Sequence, residues 1–312
     1  MTNMPLSPHG SALRSIRKGA KWLLMLPISL ADSFGTLYSR CVGFVIPSFN
    51  PAWLEKAQHR LESSMAVVSH RTTRHEVVTL TFHTPNSLCQ FRARTFASKE
   101  PDTLEWIDEY GDGGVLYDIG ANIGLYSVYF AKSKGCPVYA FEPSVFNLPA
   151  LARNINANGV QSKVRIVPNP LSTSDGFAEF KLGSLDEGGA LAAFAVDYGH
   201  DGKDFRSTFS YQTCGFSLDT LVESGIVDQK PSLIKIDVDG IEHLILNGAK
   251  KTLSAATCRS VLVEVDEEFT ALSTTVSEIL SACGFTLQSK KRSPLSADGA
   301  FSRVYNQVWA KK

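Results

Sequence analysis

Four carboxylates recur in this chain at the same kind of place, the end of a short apolar run. Asp118 follows Val115-Leu116-Tyr117, Glu142 follows Val138-Tyr139-Ala140-Phe141, Asp237 follows Leu233-Ile234-Lys235-Ile236, and Glu264 follows Val261-Leu262-Val263. Acids at strand tips can accept from hydroxyl groups, face a cation or take a proton. The first is followed at once by Ile119-Gly120-Ala121-Asn122-Ile123-Gly124, a tight turn that enters a helical pattern near Leu125. A strand–turn–helix unit of this kind brings main chain close to a ligand. About eighteen residues after the turn begins comes the second apolar run, and the acid at its end, Glu142, stands where nucleotide-binding α/β folds hold a ribose diol.

The turn selects among cofactors. A dinucleotide fingerprint needs glycine at its first, third and sixth positions, so that a pyrophosphate can meet the helix N-terminus. Counted from Gly120, this chain has Asn122 and Leu125 at the other two, and Asp118 just before the turn is a poor neighbour for a diphosphate. A ligand with a cationic aminoacyl end and no phosphate suits that acid better, and S-adenosylmethionine is such a ligand. Asp118 then orders the turn beside the aminoacyl end, Glu142 accepts from the ribose hydroxyls, and Gly120, Ala121, Asn122, Gly124 and Pro143 complete this side of the site. A lone Gly-x-x-x-Gly turn serves equally for close helix packing; the turn together with Phe141-Glu142-Pro143 is what points to the cofactor. The alternatives are an NAD-binding oxidoreductase or epimerase, and a non-catalytic cofactor-fold module.

The elements that must position these residues alternate between strand and helix from Val115 onward, the sign of a parallel sheet with right-handed crossovers. The pattern predicts helices over 125–134, 146–158, 218–224, around 241–248 and over 276–283. It predicts strands over 164–167, 233–237, 261–264, 285–287 and 301–310, the last returning as a hairpin after Asp298-Gly299. Residues 183–213 are weakly patterned and read as a functional insertion. Upstream, Val77, Leu80 and Phe82, then Cys89, Phe91, Ala93 and Thr95, alternate about a turn at 84–87 and predict a β-hairpin. Pro101 followed by acids starts a helix that can close over the cofactor. The chain thus divides into an extension over 1–60, a hairpin and lead-in helix over 61–110, and a cofactor-binding domain over 111–312.

Composition narrows the partners. Lys plus Arg and Asp plus Glu are 31 each, so no global field points to nucleic acid. Six scattered cysteines with no Cys-x-x-Cys pair fit reduced thiols of a cytoplasmic protein. Between residues 14 and 46 basic residues flank the apolar run Trp22–Ala31, too short and proline-broken to span a bilayer. It reads as a packed extension or as a peripheral membrane contact.

Three pieces resemble one family: Asp118-Ile119-Gly120-Ala121-Asn122-Ile123-Gly124, Phe141-Glu142-Pro143, and Lys235-Ile236-Asp237-Val238-Asp239-Gly240-Ile241-Glu242. Together they are similar to the FkbM family of S-adenosylmethionine-dependent methyltransferases, over about 95–310. The resemblance implies a Rossmann-like class I methyltransferase fold, with a seven-stranded, mostly parallel sheet whose last strand is antiparallel. It also implies methyl transfer to a hydroxyl of a small molecule or glycan, such as a sugar, polysaccharide or glycolipid. The chain departs from the family's compact Ala-Leu-Ser-Asp turn beside the adenine, having two extra residues between Ser172 and Asp175, so both are candidates for that contact.

Methyl transfer to oxygen is an in-line displacement that gains from holding oxygen, methyl and sulfur in line and from a carboxylate that takes the hydroxyl proton. Asp237 and Glu264, from adjacent strands, are the candidates for orienting the acceptor or acting as base. Asp239 and Glu242 have the spacing of a capping box. Asp237 and Asp239 suit Mg²⁺ by chemistry, but no third ligand is visible, so activity is expected without a metal.

Overall fold

The structure is a computed structural model and describes residues 59–60, 62–294 and 302–311. Two compact units divide the chain, Met1–Arg60 and Leu61–Lys312, and every element below belongs to the second. The segment 14–46 and the Asp298-Gly299 turn lie outside the described residues.

Short, apolar stretches bounded by turn residues form the central strands: β3 (Leu116–Ile119), β4 (Val138–Phe141), β5 (Val164–Val167), β9 (Leu233–Ile236) and β10 (Ser260–Asp266). They pair in parallel, and β12 (Val304–Ala310) runs antiparallel between β10 and β11 (Thr286–Lys291). The order across the seven-stranded sheet is β11-β12-β10-β9-β3-β4-β5. Sequence order therefore reverses at β3, and ligands of open α/β sheets bind beside such a reversal, outside the carboxyl ends of the strands.

Side chains alternate between the two faces. Tyr117, Ile119, Tyr139, Phe141, Ile234, Ile236, Val261 and Val263 enter one buried cluster; Leu116, Val138, Ala140, Leu233 and Leu262 enter the other. Helices cover both. The second cluster takes in side chains of α3 (Pro101–Tyr110), α4 (Leu125–Lys134) and α5 (Leu148–Ala157), and the first those of α6 (Leu218–Glu223), α7 (Glu242–Asn247), α8 (Lys250–Ser254) and α9 (Thr270–Ala282).

Upstream, the strand expected at Val77–Phe82 is present, but its partner precedes it. β1 (Met65–Arg71) pairs with β2 (Val77–His83). Residues 89–94 are helical instead, in α1 (Ser87–Arg94), and Thr95 joins it to the single turn α2 (Phe96–Lys99). Asn86 explains the difference: its side chain accepts from Cys89 N and caps the helix. Cys89 and Ala93, two of the residues that alternate in sequence, are also four apart and bury together on one helical face. Asn154 and Asn158 on and after α5 hold β2 by its main chain, accepting from His83 N at 2.6 Å and Thr81 N at 3.0 Å.

The insertion is ordered. β7 (Ala192–Phe194) and β8 (Phe209–Gly215) flank β6 (Gly176–Leu182) in a three-stranded antiparallel sheet.

Candidate functional site

Gly120 sets the geometry. Its φ is +85°, and a Cβ built on it would sit 1.9 Å from the Asp237 carbonyl oxygen, so only glycine lets the β3 turn pass against the end of β9. Gly124 serves packing, since a Cβ there would meet Leu151 of α5 at 2.4 Å. From Gly120 to Gly124 each main-chain N–H is spent inside the protein. Gly120 N and Ala121 N donate to Phe141 O, Asn122 N to Glu142 Oε2, Ile123 N to Asn122 Oδ1 and Gly124 N to Ala121 O. A diphosphate at a glycine turn requires those donors free, so the turn does not suit a dinucleotide.

A cavity of about 390 Å³ opens at the carboxyl edge, within the range of small-molecule sites. Gly120, Asn122, Glu142, Pro143, Asp237 and Glu264 all line it, while Ala121 borders a smaller adjoining space. Glu142 is anchored by accepting from Asn122 N at 2.7 Å and Ser144 N at 2.8 Å, and burial raises its carboxyl to about 7. Phe141, Pro143, Leu171 and Ile245 add apolar wall, the surface an adenine ring needs. A glycine floor, a fixed carboxylate, apolar walls and acids for a cationic end fit S-adenosylmethionine.

Four predicted residues stand elsewhere, the first being Gly124, packed against Leu151 outside the cavity lining. Asp118 lies beneath the turn rather than in the cavity. Ser127 Oγ donates to its Oδ2 at 2.5 Å, its Oδ1 has no hydrogen-bond partner, and burial pushes its carboxyl up. Ser172 and Asp175 do not line the cavity either: Ser172 N donates to Phe216 O, and the exposed Asp175 accepts from Ser217 N. The two extra residues carry that turn toward α6, and Asn169, Pro170 and Leu171 take its place in the wall.

Under the Asp237 side of the cavity runs a buried charge cluster. Lys235 is 1% exposed, donates to Asp237 Oδ2 at 2.7 Å, lies 5.1 Å from the Tyr126 ring and stands opposite Asp118 in the β3–β9 register. Burial opposes the Asp237 charge, but Lys235 and then Lys99 outweigh it and hold the carboxyl at about 2. Glu264, one step beyond the paired Val263 and Ile236, is pushed well up by burial and then by Asp237 and Glu100. Val261, Val263 and Val265 face one cluster, which turns Glu264 to the face shared by Lys235.

The capping box expected of Asp239 and Glu242 does not form, because the helix begins at Glu242 itself with Ile241 at the N-cap position. Glu242 accepts from Val238 N and Gly240 N. Asp239, at φ +63°, instead accepts from Leu191 N at 2.7 Å and Ala192 N at 3.2 Å. It secures a strap, residues 184–191, across the cavity. The strap's main chain is gripped from several sides, with Gly189 O accepting from Asn122 and Asn147, Gly188 O from Arg92 Nε, and Glu187 O from Asn86. Both Asp237 and Asp239 are thus engaged by protein donors, and among the described residues no three His, Cys, Asp or Glu side chains are grouped for a metal. No helix among them is long and apolar enough to cross a membrane.

Sequence reasoning passed over Arg92, Lys99 and Asn147, which all border the cavity. Only the placement of α1 and α2 against the turn reveals the first two.

A doubly wound sheet with an antiparallel strand next to one edge and a cavity outside β3, β4 and β9 is the Rossmann-like fold of methyltransferases. The chain belongs to the FkbM family: the model of the methyltransferase FkbM domain matches residues 118–287. The hexuronic acid methyltransferase AglP of Haloferax volcanii is 32% identical over 160 residues, which are 51% of this chain and 59% of that protein. The chain therefore spans about three fifths of that curated relative. Among solved structures, methyltransferase FkbM from Methylobacillus flagellatus KT overlaps 64% of this chain and 44% of its own at 15% identity and a TM-score of 0.42. A putative methyltransferase, yhhF from Escherichia coli, overlaps 79% and 99% at 10% identity and 0.43. At such TM-scores these overlaps add no weight to the strand order.

Proposed function

We propose that the protein transfers a methyl group from S-adenosylmethionine to a hydroxyl oxygen of a sugar, free or within a polysaccharide or glycolipid. The carrying observation is that one cavity gathers a glycine turn with no free N–H, the anchored Glu142, and the two strand-tip acids Asp237 and Glu264. When bound, the cofactor supplies an electrophilic methyl carbon on a sulfonium.

The chain's own residues divide the remaining work. Glu142 accepts from the ribose hydroxyls, its orientation already fixed by two main-chain donors. Asp237, locked by Lys235 and held at about 2, is a weak base and an effective acceptor from the sugar hydroxyl. Glu264, whose carboxyl is raised, is the stronger base of the two when ionised and is then the one to take the proton. The sequence offers Asp237 and Glu264 alike for this step; the buried lysine beneath Asp237 favours Glu264. The strap and α1 limit water at the reacting oxygen. The name of the Haloferax relative makes an acidic sugar the first acceptor to test.

The test is transfer of labelled methyl from S-adenosylmethionine to oligosaccharides with and without hexuronic acid, beside calorimetry with S-adenosylmethionine and NAD. Labelled saccharide is the expected product, with Glu264→Gln lowering turnover about a hundredfold at unchanged cofactor affinity. Binding of NAD but not of S-adenosylmethionine would refute the assignment.

A further inference from the structure

An aminoacyl methyl donor brings a carboxylate as well as an ammonium to the glycine turn, and the turn has no N–H left to receive it. A desolvated carboxylate needs donors, so they must come from side chains. Two cations border that space. Arg92 at the end of α1 and Lys99 at the end of α2 line a side cavity of about 40 Å³ with Gly120, Ala121, Asn122 and Tyr126. Both also line the main cavity, so the two spaces share walls. Lys99 Nζ is already paired with Glu100 Oε1 at 2.6 Å. Arg92 is differently placed. Its Nε donates to Gly188 O at 2.6 Å, which orients the guanidinium, and its two terminal nitrogens have no acceptor among the described residues. That is the fork a carboxylate takes in bidentate fashion.

Two other duties for Arg92 are weaker. Asp237 already has its ion pair in Lys235. An acidic sugar would lie toward Glu264, Val304 and Asn306, which line only the main cavity, whereas Arg92 reaches into the side cavity beside the turn. We propose that Arg92, with Lys99 beside it, binds the carboxylate of the methyl donor's aminoacyl group. The proposal rests on the S-adenosylmethionine reading above and assigns part of that site to residues preceding the matched span 118–287.

Calorimetry on the full chain with S-adenosylhomocysteine and with 5′-methylthioadenosine, which lacks the aminoacyl group, tests it. Arg92→Gln should weaken S-adenosylhomocysteine about ten- to hundredfold and leave 5′-methylthioadenosine unchanged, with Arg92→Lys recovering part of the loss. If Arg92→Gln weakens both ligands equally, Arg92 merely holds the strap through Gly188 and the proposal fails. If S-adenosylhomocysteine binding is intact while KM for an acidic acceptor rises, the guanidinium serves the acceptor and the proposal again fails. A wild-type protein that binds neither ligand overturns the methyl-donor reading and this assignment with it.

Discussion

Replacing Lys235 by methionine should destabilise the protein strongly at neutral pH and much less in mild acid. Methionine keeps the length and nearly the volume of the side chain, so packing changes little. What disappears is the positive charge among Asp237, Glu100 and Asp118, the three acids whose fields act on it. Lys235 is 1% exposed and its partner oxygen is 2.7 Å away. Removing one member of such a buried pair costs about 3–5 kcal/mol. At about 2–4 °C per kcal/mol for a domain of this size, Tm should fall by roughly 6–20 °C. The pH arm identifies the cause. In the wild type, Asp237 is held at about 2, so its contribution is present above the unfolded value of about 3.9 and is lost as pH falls toward 2. Without Lys235 the buried acids are driven upward and gain protons as pH falls from 7 to 5, which relieves the variant. Thermal unfolding of both proteins at each pH gives the difference directly. Wild type must accompany the variant, because Glu142 and Glu242 are themselves raised to about 7 and alter stability over the same range. A deficit equal at both pH values would mean lost packing, and no deficit at pH 7 would refute the electrostatic account.

Two further outcomes follow from the geometry. Glu142, raised to about 7, accepts fully only when ionised, so S-adenosylhomocysteine affinity should tighten as pH rises through about 7 and then level off. Glu142→Gln should flatten that profile and cost about tenfold or more, and a flat wild-type profile would exclude the ribose role. Asp239→Ala removes the acceptor of Leu191 N and Ala192 N. Their amides should exchange hydrogen about tenfold faster or more; unchanged exchange would show that the strap does not depend on Asp239.

Strands were the most legible part of the sequence, because each central one is a short apolar run that ends in an acid or a turn. The position of Glu142, Asp237 and Glu264 at strand ends bordering the cavity was legible for the same reason. Residues 89–95 misled because apolar side chains two apart also include pairs four apart, and Asn86, whose cap decides for helix, lay inside the assumed turn. Asp239 misled because its spacing to Glu242 fits a cap, while its actual partners, Leu191 and Ala192, are nearly fifty residues away in sequence. No local pattern encodes a contact of that range. Arg92 escaped notice likewise, since a basic residue on a short helix is ordinary until the helix is seen against the glycine turn.

The strap over the cavity is tied down almost wholly by main-chain atoms, at Glu187, Gly188, Gly189, Leu191 and Ala192. Only Glu187 adds its own carboxylate, paired with Arg153. Position and identity are thereby separated: substitutions at Ala190 or Leu191, which line the cavity, change its surface while the main-chain ties remain. If the proposed reading holds, acceptor preference can change along these residues while the cofactor side stays constant, and a library confined to them, screened on a panel of saccharides, tests that separation.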